Sequence, residues 1–430
     1  MIQDKKRMKK IIQASFMVLA GCLGAQSLGN SPYAAFGIGD IKYDHPADVS
    51  AMAGISTAHV WDFNNIYNFN NPAANGNFDL TSFKIQVNNE NQFFKSDYNQ
   101  LDVTKHSTYL SNISLAFPIA KKVKFGLAYQ PFSSKKYNIL KTTTKAGDLT
   151  QANSFSGEGS INMIQGALGY QITPSFGVGV RTNFYFGKIS DIEEIAISDT
   201  ELVNGFETSR KIKSWNFTTG ATYQHRLGND RKLTLGGTYT FGKVGKTDNQ
   251  YINSTYYYIG KEKVNKSIIE TKDYTQENVI PQKASFGVGY GQEAKWFVST
   301  QLDYTNGGKI EFNGLPVNFN DSYRVAVGGW YLPNYNNFRN VFSRIIYRYG
   351  AYYEKGNLTI NNHNINEFGL TFGATVPFQN NSVLKMSGID FGLEIGKRGT
   401  SKDQLVSERF INFKVGLNFA DKWFNKRQYD

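Results

Sequence analysis

From Ile411 to Phe419 the chain reads Ile-Asn-Phe-Lys-Val-Gly-Leu-Asn-Phe, apolar at every odd position and polar or small at every even one. A period of two marks a strand with two unlike faces. The pattern recurs along the molecule. Phe286, Val288 and Tyr290 alternate with Gly287, Gly289 and Gly291, and Phe368, Leu370 and Phe372 alternate with Gly369, Thr371 and Gly373. Ile389, Phe391, Leu393 and Ile395 alternate with Asp390, Gly392, Glu394 and Gly396. The second face is too polar, and the repeats too many, for sheets packed around one dry core. A wall with lipid on one side and a wet interior on the other suits both faces.

Alternating segments centre on Phe83, Ile113, Phe125, Ile164, Val180, Phe217 and Leu235, and then on Val288, Val298, Val325, Tyr347, Leu370, Phe391 and Val415. The fold class predicted is therefore all-β, a transmembrane antiparallel β-barrel of about 14 strands, closed by one monomeric chain. The segment at Ile164 is the least regular and predicts a bulge there. Short links at 118–121, 172–175, 227–230 and 291–294 alternate with long polar ones at 90–105, 133–154, 190–210 and 243–282. Outer-membrane barrels show this asymmetry, with short periplasmic turns and long external loops, and an even strand count puts both chain ends in the periplasm. The longest link, 243–282, extends the flanking strands as an external hairpin or serves as a variable surface loop. Trp215, Trp296, Tyr290, Tyr304, Tyr323, Tyr331, Trp423 and Phe424 fall near strand ends, as a girdle at the headgroup level requires.

Mean hydropathy is −0.42, and after the N-terminus no run approaches the roughly 20 apolar residues of a membrane helix. The start itself reads as an export signal over residues 1–25: Lys5, Lys6, Arg7, Lys9 and Lys10, then an apolar run. Removing it takes away five basic residues and one acid, and the formal charge falls from +12 to +8. The remaining basic residues are scattered, which argues against nucleic acid and suits anionic lipid. Cys22, the only cysteine, ends a lipobox-like Leu19-Ala20-Gly21-Cys22; ordinary cleavage near Ala25 is the alternative that we favour, and neither leaves a disulfide.

Between the signal and the barrel (residues 78–430) lies a segment, 26–77, without strand character. It holds a small-residue run, 51–58, and ends Asn70-Asn71-Pro72-Ala73; Asp48 is placed to cap a short helix near Val49. A stretch of this size can plug a lumen, or hang as a periplasmic arm. The outward register sends Arg181, Arg324, Arg344, Arg348, Asp390, Glu394 and Lys414 inward, where no charge meets lipid at a cost of about 2–4 kcal/mol each. Such charges can hold a plug, line a solvated lumen or bind a substrate carboxylate. Catalysis is not expected. The five histidines, His45, His59, His106, His225 and His363, are scattered, with no Ser-His-carboxylate set, metal spacing or phosphate loop, so neither metal nor cofactor is implied.

Taken together, the leading segment running into Asn71-Pro72-Ala73, the fourteen strands, and the stretches Tyr323 to Gly328 and Tyr347 to Tyr353 resemble the FadL family of outer-membrane transporters for hydrophobic compounds. That resemblance implies an N-terminal hatch that includes Asn71, Pro72 and Ala73, and a kinked third strand that opens a lateral passage to the bilayer. Here Gly126 weakens the third segment and Pro131 removes a ladder donor, which places the opening between them, or else Pro131 ends the strand at the rim. The expected function is passive uptake of a fatty-acid-like hydrophobic molecule. The other reading is a non-transporting FadL-like barrel that acts as a partner or attachment subunit of an outer-membrane secretion machine. Transport calls for an apolar pocket above the hatch and a gap in the wall; the partner role calls for a sealed wall.

Overall fold

The computed structural model describes residues 31–42, 45–97, 100–144, 150–312, 315–337, 339–360, 362–378 and 387–422. The signal, Cys22, Trp423 and Phe424 lie outside them. Fourteen strands form the wall: β1 (Thr81–Ser96), β2 (Leu101–Ala120), β3 (Val123–Ser134), β4 (Thr150–Thr173), β5 (Phe176–Ile197), β6 (Val203–Leu227) and β7 (Arg231–Thr240). They continue as β8 (Lys283–Gln292), β9 (Trp296–Thr305), β10 (Ser322–Tyr331), β11 (Ile346–Lys355), β12 (Glu367–Pro377), β13 (Gly388–Arg398) and β14 (Ser407–Asp421). Each pairs antiparallel with the next, and β14 returns to β1 with Val415 opposite Val87, so the sheet closes. Closure pairs the backbone around the barrel, the condition for a sheet inside a bilayer, save at the β2–β3 seam, where the described ladder covers only Ile113–Ala120 of β2.

The alternation decides which side of each strand is which. Phe413, Val415 and Phe419 are 45–49% exposed, whereas Lys414 and Asn418 between them are at most 5% exposed. The first group faces lipid and the second faces the interior.

Wall height is uneven. β7 to β13 have 10 or 11 residues, which at a tilt near 40° span about 25 Å, one bilayer core. β4, β5 and β6 have 24, 22 and 25. Much of the sequence in the polar links 90–105, 133–154 and 190–210 is therefore strand and not loop. Its apolar alternation stops where lipid stops, while backbone pairing carries on between neighbours. Link 243–282 is indeed a hairpin, Lys243–Ile259 with Glu262–Ile280, and its first arm pairs with β6 from Val203 to Ile212. The expected irregularity at Ile164 belongs to the facing strand: β3 slips register between Pro131 and Ser133.

Links at the other end, the turn end, are short after β2, β4, β6 and β8, but the one after β10 runs over 332–345. Arg344 sits there, the buried last residue of an otherwise largely exposed 3-10 turn (Val341–Arg344), and not on a lumen-facing strand position as its parity implied. The leading segment occupies the interior. It starts at the loop end, where Ser31 donates to Glu408 (2.8 Å) and Tyr33 bonds the Val406 carbonyl, and descends to the turn end before β1. The first and last described residues thus lie at opposite ends of the barrel; the expectation that both termini share one side falls on residues outside those described.

Candidate functional site

Inside the barrel the small-residue run meets inward-facing glycines. Met52, Ala53 and Ile55 are fully buried with Trp61, Trp330 and Phe297 in one apolar cluster. Gly350 faces Ala53, and Gly236 faces the Thr57 carbonyl so closely that a Cβ would sit 2.0 Å from its oxygen. Asn71 caps the 3-10 turn Pro72–Ala74: its Oδ1 accepts from the Ala73 N–H (3.2 Å), and its Nδ2 donates to the Thr57 carbonyl (2.7 Å) and to Ala221 (3.3 Å) on β6. A Cβ at Gly169 would meet the Pro72 carbonyl at 2.3 Å, and one at Gly220 would meet Asn71 Oδ1 at the same distance. Thr222 donates to the Ala73 carbonyl (2.8 Å). Asn71, Pro72 and Ala73 are therefore seated on β4, β5 and β6, against a patch that lacks side chains to exclude them.

Charge ties the segment to the wall pair by pair. Asp48 meets Lys84 (2.9 Å), Asp62 meets Lys232 (3.2 Å), Asp79 meets Lys124 (2.5 Å) and Asp40 meets Arg398 (2.5 Å). Asp48 does not cap the helical turn Ala47–Ser50, as its position had suggested; it lies within the turn, and its carboxylate is taken by Lys84. Of the inward charges read from the strands, Arg181 donates to the Phe69 carbonyl (2.9 Å), Lys414 donates to Ser50 (2.9 Å), and Arg348 lies over the Trp61 ring (5.8 Å). Asp390 accepts from Thr375 on the wall. Arg324 and Glu394 stand apart, nearer the loop end. Arg324 stacks on Tyr352 (4.2 Å) beside Glu354 (3.6 Å), and Glu394 accepts from Tyr352 (2.8 Å) and Asn412 (3.1 Å). Burial, with the charges of Arg348 and Lys84 added, pushes the His59 imidazole down to about 4 against the opposing pull of Asp48. His45 is held well below its usual range by burial and by Arg324 above it.

The third strand departs from its neighbour. The ladder between β2 and β3 ends at the pair Ile113–Tyr129, three residues beyond Gly126 and two short of Pro131. Gly126 is paired on both sides, with Ala116 and Ala167, and faces Phe69 in the interior. Past Pro131, which has no N–H to give, β3 turns inward; Ser133, Ser134 and Lys135 are at most 1% exposed. The edge that β2 vacates on β3 is taken by the leading segment: Asp40 pairs with Ser134 and Ile41 with Ser133. Lys42 N–H donates to Phe132 (2.8 Å), Ser133 donates to the Ile38 carbonyl (2.9 Å) and Lys135 to that of Gly37 (3.1 Å). Lys42 also reaches Glu90 on β1 (2.9 Å). Residues 37–42 form a strap along the seam, and none of them is marked by any strand pattern in the sequence.

Above the helical turn, on the loop side, lies a chamber of about 220 Å³. Six carboxylates line it: Asp40, Glu90, Glu354, Glu367, Glu394 and Glu408. Its cations are Lys42, Arg324, Arg398 and Lys414. Tyr33, Phe36, Ile38, Leu358, Ile365 and Phe410 share the lining, so the chamber is mixed, charged groups standing among apolar ones. Among the described residues no group of three His, Cys, Asp or Glu is placed to hold a metal ion.

Two solved structures share this architecture. The Pseudomonas putida toluene transporter TodX aligns at TM-score 0.59 and 14% identity, over 89% of this chain and 99% of that one. The Ralstonia pickettii toluene transporter TbuX aligns at 0.57 and 14%, over 87% and 98%. They establish the fold, a closed antiparallel β-barrel. No curated protein matches the sequence. The BamG family matches residues 7–430, nearly the full length, and the chain belongs to that family.

Proposed function

We propose that this barrel is a closed FadL-like scaffold, a partner subunit of an outer-membrane assembly or secretion machine, with its turn end in the periplasm and its tall β4–β6 wall outside. The observation that carries this reading is the strap: residues 37–42 occupy the β3 edge that β2 leaves free, and six carboxylates and four cations stand in the chamber beside it. The family name BamG hints at a place beside the Bam complex, and strands of 22–25 residues with an added hairpin offer a surface that a one-bilayer barrel has no need of.

Extraction from native membranes in mild detergent tests the reading: the barrel should co-purify with at least one other outer-membrane protein in fixed ratio, and a lone, monodisperse barrel would contradict it. A second reading, hydrophobic uptake through the wall, draws on the same seam, because the edge of β2 from Leu101 to Asn112 has no ladder partner on its β3 side. Uptake of toluene by cells with and without the barrel separates the two. Equal rates are expected; a drop of about tenfold on deletion would favour the channel.

A further inference from the structure

Tyr352 presents one hydroxyl to two carboxylates, Glu367 at 2.7 Å and Glu394 at 2.8 Å. A hydroxyl has one proton and can donate to one of them only. The other carboxylate faces a lone pair and needs a proton or a cation from elsewhere. The neighbours supply it only in part: Arg398 pairs with Glu367 at 3.9 Å, and Asn412 gives Glu394 a neutral N–H (3.1 Å). Arg324 is engaged with the Tyr352 ring and Glu354, and Arg398 is bonded to Asp40.

A second, independent orphan lies on the same wall, two strands from Glu394. Gln92 on β1 is 5% exposed, and its amide nitrogen is committed to Glu408 (2.9 Å), which fixes the orientation of the group. Its Oε1 is left buried with no donor. An unsatisfied buried acceptor costs about 1–3 kcal/mol unless something fills it. Both deficits call for the same chemistry, N–H donors with positive charge. The balance of the chamber agrees: six carboxylates against four cations, in a chain whose overall charge is +12.

We propose that this chamber is a binding site for a small organic cation, a primary amine, with Glu394 or Glu367 and the Gln92 carbonyl as its acceptors. About 220 Å³ admits a short aliphatic amine and is too small for a fatty acyl chain or a typical drug-sized ligand. A carboxylate beside the buried Gln92 Oε1 suits directed N–H donors that carry positive charge, as an ammonium group does. A bound amine would lie against His45, Ser50 and Gly54 of the leading segment, so occupancy also stabilises the seated segment by mass action. The inference stands whether or not the barrel is a partner subunit.

Calorimetric titration of the full-length protein in detergent, with 1,4-diaminobutane as probe and 1,4-butanediol as neutral control, tests it. The diamine should bind saturably with a Kd below about 1 mM, and the diol should not. Glu394→Gln and Gln92→Leu should each weaken binding by about tenfold, with unchanged heat-modifiable migration certifying the fold. Absence of saturable heat up to about 10 mM diamine would overturn the proposal. So would equal binding of the diol, or wild-type affinity in both folded variants.

Discussion

Toward the turn end of the lumen, Asp48, Asp62 and Asp79 of the leading segment each meet one wall lysine, and Gly169 and Gly220 give the turn after Asn71 room to seat. Toward the loop end the same lumen widens into a chamber where carboxylates outnumber cations. The lower half is matched in both shape and charge, which fixes one position of the segment. The upper half keeps its own ties, Asp40 to Arg398 and Lys42 to Glu90, yet it leaves open space and more carboxylates than cations. The two halves should therefore answer differently to the same kinds of substitution.

The largest effect is expected from Asp48→Asn. Lys84 and Asp48 are both at least nine-tenths buried, so removing the carboxylate takes the bonded counter-charge from a desolvated ammonium and leaves it only the unbonded Asp390, at a cost of about 3–5 kcal/mol. Protease cleavage of the leading segment and hydrogen exchange over 47–75 should both rise by orders of magnitude. The double variant Asp48→Asn/Lys84→Met, which removes both charges, should recover most of the protection. If the single variant stays protected, the pairing does not hold the segment.

Acid should act on the lower half next. His59 lies in the leading segment, 5% exposed, with its pKa depressed to about 4 from 6.5. Between those values the unseated segment binds a proton that the seated one refuses, so seating is fully favoured above pH 6.5 and weakens as pH falls toward 4. A depression of this size is worth about 3 kcal/mol. Hydrogen exchange of 45–75 should accelerate over that window, and His59→Gln should flatten the dependence without altering exchange in β4 to β6.

A smaller effect is expected from Gly220→Val, whose side chain must displace Asn71; overpacking of this kind costs about 1–3 kcal/mol. Gly228→Val, in the turn after β6 where nothing stands within 4 Å, is the control and should be silent. Equal protease sensitivity in the two variants would mean that the cradle is incidental.

The wall was legible in the sequence and the seam was not, for a physical reason. Lipid imposes a period of two on everything it touches, so Phe83 through Val415 each fall in a separate barrel strand. The same parity places Lys84, Lys124, Lys232 and Arg398 inward, and the aspartates of the leading segment are their natural partners by charge. The strap follows no such rule. Residues 37–42 hold β3 chiefly through backbone groups and two ladder pairs; Gly37 and Gly39 are needed there, at positive φ and with no room for a Cβ at Gly39, but two glycines in a short run do not by themselves announce a strap. Pro131 hinted at a break; nothing marked what would occupy it. Polar links likewise concealed strands, because outside the bilayer a ladder needs no apolar face.

The smallest effect belongs to the upper half, and it is the sharpest test of the contrast. Glu394→Gln removes one of two carboxylates competing for the Tyr352 proton, and the amide can still accept from Tyr352 through its oxygen. In a matched site such a change would take the bonded partner from a charge, as at Lys84. Here it relieves a like-charge pair, so seating of the leading segment should change by less than about 0.5 kcal/mol or improve slightly, on the scale of ordinary silent substitutions. Exchange over 47–75 should match that of the unaltered chain within about twofold, while amine binding falls. A destabilised segment with intact amine binding would mean that the chamber is structural, and the division of the lumen into a fixed half and a receptive half would fail.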